Sequence, residues 1–110
     1  MTTFTSTTKH INMKQITAEA ASAFMNAETF NKSNTAVKVL PNVTVLSLFG
    51  NEIAYLYNDP NRTLSIKNCG YMTNTTKERL NGIDGVSIVQ KKEEWYLNGS
   101  LWDGKLIDVN

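Results

Sequence analysis

Between Val43 and Ile107 the chain alternates short apolar runs with residue groups that turn the backbone, and this punctuation leaves few folds open to it. Val43 to Phe49 is closed by Gly50-Asn51-Glu52, Ile53 to Tyr57 by Asn58-Asp59-Pro60-Asn61, and Thr63 to Lys67 by Asn68-Cys69-Gly70. Short β-prone runs separated by Gly, Asn, Asp and Pro read as strands joined by hairpins. Val43, Val45 and Phe49 fall on one alternating face and Leu46 and Leu48 on the other, so this strand is expected in the middle of a sheet, covered on both sides. Ile53, Tyr55 and Tyr57 share a face in the returning strand, and Thr63 to Lys67 alternates as a half-buried one.

Helical signals interrupt this pattern twice. Thr17 is a candidate cap, Glu19 suits the positive end of the helix dipole, and Ala18 to Phe30 contains no Gly or Pro, so a helix is expected over Thr17 to Phe30. Its apolar stripe, Ile16, Ala20, Ala23, Phe24, Ala27 and Phe30, would lie against the sheet. Thr75-Thr76-Lys77-Glu78 has the form of a capping box, predicting a short helix from Thr75 to Asn81-Gly82 with Leu80 and Ile83 facing the core. On that reading Lys77, Glu78 and Arg79 stay solvated. Asn31 to Thr35 reads as a polar turn. Ala36 to Leu40 reads as a short strand stopped by Pro41, and Val86 to Leu97 as a hairpin around Lys92-Glu93. Asn98-Gly99 is a strong hairpin signal, and Asp103-Gly104 precedes a last strand, Lys105 to Ile107. Trp95 and Trp102 are the best core candidates of this region.

The whole is expected to be an α+β single domain over residues 1–110. An antiparallel sheet of hairpins and meander carries the N-terminal helix on one face and the short helix inserted between strands. Residues 1–12, dominated by Thr and Ser, read as a flexible arm or an edge strand. An exposed edge at Ala36 to Leu40 or Lys105 to Ile107 would allow a homodimer by strand addition.

Composition excludes more chemistry than it supports. With 110 residues, 41% apolar, 19% charged and a net charge of +1, the chain is neither a strongly basic nucleic-acid binder nor an acidic mimic of one. Cys69 and His10 are the single cysteine and histidine, too few for a structural zinc site and poorly placed for a Cys-His nucleophile pair. No phosphate-binding glycine loop occurs, and the acids lie mostly in turns, where Asp is favoured for backbone reasons. The expectation is therefore no enzyme, no metal and no cofactor. The lone cysteine fits a reducing compartment, and no apolar run approaches the about 18 residues of a membrane span, so a soluble cytoplasmic protein is expected.

What remains is binding. Tyr71, Lys77, Arg79, Lys91, Lys92, Trp95 and Trp102 are the candidate contact residues, aromatic anchors for a protein partner or a basic, stacking surface for nucleic acid. The stretch NCGYMTNTTKERLNGI followed by VQKKEEWYLNGSLWDGKLI resembles small accessory proteins of tailed bacteriophages and prophages, with a TT-x-x-x-LN helix start and a W-x-L-N-G hairpin. The likeness covers residues 43–107. It implies an accessory gene product acting in the cytoplasm of the bacterial host, in a class that includes anti-CRISPR and anti-restriction inhibitors. The leading expectation is a non-enzymatic protein that binds and modulates a host protein or complex. The alternative is a small nucleic-acid-binding module using the Lys/Arg and aromatic surface.

Overall fold

A computed structural model describes residues 14–110; the expectation for residues 1–12 lies outside the described residues. The element order is α1 (Gln15–Met25), β1 (Phe30–Lys32), β2 (Thr35–Val39), β3 (Val43–Leu48), β4 (Asn51–Tyr57), β5 (Leu64–Ile66), α2 (Asn74–Asn81), β6 (Ile88–Lys91), β7 (Glu94–Leu97), β8 (Ser100–Trp102) and β9 (Ile107–Asp108). All strand pairings are antiparallel, which makes this the α+β fold expected, with a helix before the strands and another between them.

The strands form two sheets rather than one meander: a six-stranded sheet in the order β1-β2-β3-β4-β5-β9 and a three-stranded sheet β6-β7-β8. β9 leaves the terminal hairpins and returns to pair with β5, Ser65 opposite Asp108 and Ile66 opposite Ile107. Val109 N then donates to Leu64 O at 2.7 Å. β3 is central and buried on both faces, as its apolar pattern requires, and a register shift after Leu46 marks a β-bulge against β4. β2 is interior, between β1 and β3, so the edge expected at Ala36 to Leu40 is occupied. Among the described residues the outer strands of the large sheet are β1 and β9.

The first helix is shorter than its sequence suggests. Lys14, not Thr17, is the N-cap, and Thr17 is a buried residue inside the first turn. The helix stops at Met25 because Ala27 takes φ +55 and the chain closes a Schellman turn, with Glu28 N donating to Ala23 O at 2.8 Å and Ala27 N to Phe24 O at 3.5 Å. Phe30 therefore opens β1, and the polar turn expected over Asn31 to Thr35 narrows to Ser33-Asn34, its flanking residues pairing in β1 and β2. In α2 the cap is Thr73, whose Oγ1 accepts from Thr76 N at 3.1 Å, so the helix begins at Asn74 rather than Thr75. Glu78 does not reach back to the cap; its carboxylate accepts from Lys14 N at 3.3 Å and pairs with Arg79.

The core lies between the inner face of the large sheet (Val37, Leu46, Ala54, Ile66) and a cover made of Phe24 from α1, Leu80 from α2, Ile83, and Trp95 and Trp102 from the small sheet. The two tryptophans are cross-strand partners with ring centroids 6.1 Å apart and tilted by 39°. Such a pair adds about 0.5–1.5 kcal/mol beyond the area it buries.

Candidate functional site

One end of the large sheet is shaped by three turns. Phe49 and Gly50 close the β3–β4 hairpin with φ +53 and +80, a type I′ pattern in which both central residues are left-handed. Sequence reading placed Phe49 on a strand face; it sits instead in the turn, with its side chain 71% exposed. Its backbone N donates to Asn34 O at 2.7 Å, tying this hairpin to the β1–β2 turn.

The loop between β5 and α2 makes the opposite side. Asn68 is buried, its N donating to Gly104 O at 3.0 Å and its Oδ1 accepting from Gly70 N at 2.8 Å. Cys69 and Gly70 turn through φ +57 and +82, and Tyr71 N closes the turn on Asn68 O at 2.9 Å. The chain then leaves toward the Thr73 cap with Tyr71 53% and Met72 46% exposed. Between the two sides lies an apolar cleft of about 360 Å³. Leu48 and Ile53, both buried, form its floor, and Phe49 and Tyr71 its flanks. Asn51, Asn68, Thr73 and Thr76 also line it, and none of the described residues in its lining is charged.

The residues singled out from sequence do not form one surface. Tyr71 is exposed at the cleft, as expected. Lys91 and Lys92 are exposed at the β6–β7 hairpin, Lys91 Nζ lying 5.8 Å from the Tyr96 ring centre, and Lys77 reaches the same hairpin through Gln90 Oε1 at 2.8 Å. Trp95 and Trp102 belong to the core. Arg79, expected to be solvated, is only 6% exposed. Its Nε donates to Thr35 Oγ1 at 3.0 Å, its Nη1 to Thr17 Oγ1 at 2.9 Å and its Nη2 to Asn34 Oδ1 at 3.4 Å, with Glu78 as ion partner. This guanidinium joins both helices to the β1–β2 turn, and through Asn34 it supports the turn that carries Phe49.

Two further groups at the surface lie outside the candidate contact residues. Val89, Tyr96 and Leu101 are directly opposed across β6, β7 and β8, forming an apolar row with Val89 and Leu101 exposed. On β4, Tyr55 and Tyr57 stack at 6.4 Å, Tyr55 Oη donates to Glu52 Oε1 at 2.8 Å, and Lys67 Nζ lies 5.4 Å from the Tyr55 ring centre. Burial pushes the Tyr55 hydroxyl above its ordinary range, and the hydrogen bond with Tyr55 raises Lys67. Among the described residues no three His, Cys, Asp or Glu side chains gather as a metal site would require, and no helix is long and apolar enough to cross a membrane.

The fold and this end of the sheet thus define a small α+β protein with an apolar, aromatic-rimmed cleft. Its sequence matches the family model of the Kyanoviridae Gp96 protein over residues 13–108, and the chain belongs to this phage protein family. The match extends the phage resemblance from the second half of the chain to nearly all of it. No curated protein and no solved structure matches the chain.

Proposed function

We propose that this phage protein works by binding rather than by catalysis, engaging a host protein or protein complex in the bacterial cytoplasm through the aromatic rim of the cleft and modulating it. Inhibition of a host defence, of the CRISPR or restriction kind, is the role this reading favours. Phe49 carries it. Left-handed backbone costs an L-residue about 1–2 kcal/mol, and the ring placed there is 71% exposed, so within the monomer the strain is offset by little burial. A partner that covers the ring would recover about 1.5–3 kcal/mol, which makes Phe49 an anchor of the kind that dominates protein interfaces. Tyr71, which lines the same cleft, supplies the flank such an anchor needs.

The test is capture from bacterial lysate by tagged wild-type protein and by Phe49→Asn, with and without nuclease and at low and high salt, followed by mass spectrometry of the retained protein and detection of any retained nucleic acid. Asparagine tolerates positive φ, so the variant is expected to fold at least as stably as wild type while losing the captured partner. Equal capture by both proteins overturns the reading. Retention of nucleic acid alone, released as salt rises, replaces it with nucleic-acid binding at the Lys77, Lys91 and Lys92 hairpin.

A further inference from the structure

We infer that the cleft selects an uncharged peptide segment of its partner, taking one bulky apolar side chain between Phe49 and Tyr71 and holding the adjoining main chain through Asn51. The inference rests on the protein-binding reading above and adds the chemistry of the occupant. The cleft volume of about 360 Å³ exceeds that of any single side chain, leaving room for an aromatic or leucine-sized group and the backbone that carries it. Buried Leu48 and Ile53 at its base offer only apolar contact, and with no charged group among the described residues that line the cleft, a charged anchor would lose its hydration without gaining a counter-ion from them. Three of the four polar side chains are already engaged: Thr73 Oγ1 and Thr76 Oγ1 lie 3.0 Å apart in one hydrogen bond, and Asn68 Oδ1 accepts from Gly70 N. The Asn51 carboxamide, by contrast, bonds to no other described residue. An amide presents one donor and one acceptor face, the complement of a peptide group. Its position at the start of β4, directly after the strained turn, places it beside the anchor's entry.

Four capped amino acids serve as probes: the N-acetyl amides of tryptophan, leucine, lysine and glutamate, titrated into the isotopically labelled full-length protein while methyl and amide resonances are followed. The tryptophan and leucine amides are expected to shift the Leu48 and Ile53 methyls with dissociation constants in the millimolar range, unchanged between about 50 mM and about 500 mM salt, and the two charged amides to leave them in place. Asn51→Leu should weaken both neutral probes several-fold and leave the spectrum of the fold intact. Binding of a charged amide as tightly as the neutral ones overturns the inference, and so does the absence of any shift at Leu48 and Ile53. In either case capture of a partner through Phe49 stands or falls by its own experiment.

Discussion

Replacing Arg79 by lysine keeps the positive charge beside Glu78 and removes the planar fork that reaches three other partners. Two of those bonds are short and lead to hydroxyls that are almost fully buried, Thr35 at 3.0 Å and Thr17 at 2.9 Å. A hydrogen bond to a charged group nets about 1.5–3 kcal/mol, and an ammonium acting from a single point satisfies one of two oxygens approached from different elements. The expected loss for Arg79→Lys is therefore about 2–4 kcal/mol, which for a domain of this size lowers Tm by roughly 10–25 °C. Urea unfolding followed by tryptophan fluorescence suits the measurement, since both tryptophans are buried in the core and change environment together. The cause is isolated by combining Arg79→Lys with Thr17→Val: if the bond between them carries the effect, the two losses add to less than their sum by at least about 1 kcal/mol. A loss below about 0.5 kcal/mol for Arg79→Lys would refute the view that this guanidinium ties the helices to the sheet.

Five other substitutions test how the backbone and core are built. Ala27→Gly relieves the φ of +55 in the turn that ends the first helix, and thermal unfolding should show a gain of about 0.5–1 kcal/mol. Gly104→Ala would bring a Cβ within 2.3 Å of the buried Asn68 side chain at φ +88, so a loss of about 2–4 kcal/mol is expected by chemical denaturation. Gly99→Ala, where nothing lies within 4 Å, should lose only the backbone part, about 1 kcal/mol. Trp95 Nε1 is buried with no hydrogen-bond partner among the described residues, whereas Trp102 Nε1 donates to Lys105 O at 2.9 Å. Trp102→Phe should accordingly cost about 1–2 kcal/mol more than Trp95→Phe in the same assay, because the latter also removes an unsatisfied donor; equal losses would contradict the assignment.

The strands were legible wherever two local signals agreed. Asn98-Gly99 lies between apolar runs and turns β7 into β8 as written, and the two-sided apolar pattern of Val43 to Leu48 located the central strand. The helices were legible in existence and not in their ends. Ala27 has no side chain beyond its methyl and no polar group, so nothing in its letter announces a left-handed turn, and Phe30 at helical spacing extends the expected helix five residues past its observed end at Met25, into β1. Thr73, Thr75 and Thr76 are equivalent as letters, and only the geometry of the incoming chain selects Thr73 as cap. The burial of Arg79 depends on Thr17 and Thr35, 62 and 44 residues away, contacts that no local pattern encodes. Of the candidate site, Tyr71 was found from its type. Phe49 was missed because Gly50-Asn51-Glu52 was read as the whole turn; a bulky aromatic directly before that glycine was the available signal.

β5 and β9 are neighbours in space joined by a long excursion, since Ser65 and Asp108 lie 43 residues apart while every other pairing in the large sheet is a hairpin between consecutive strands. Closing such a loop costs about 2 kcal/mol more in chain entropy than closing a hairpin of about four residues. The order of assembly is thereby unequal: β1 to β5 can zip from local contacts, whereas β9 has to wait until α2 and the small sheet have collapsed and shortened the distance. The same asymmetry persists after folding, with the Val109 amide expected to exchange its proton with solvent faster than those of Leu46 and Ala54, and equal protection would remove the basis for it. The sixth strand acts as a latch, the last part of the sheet to close and the first to open.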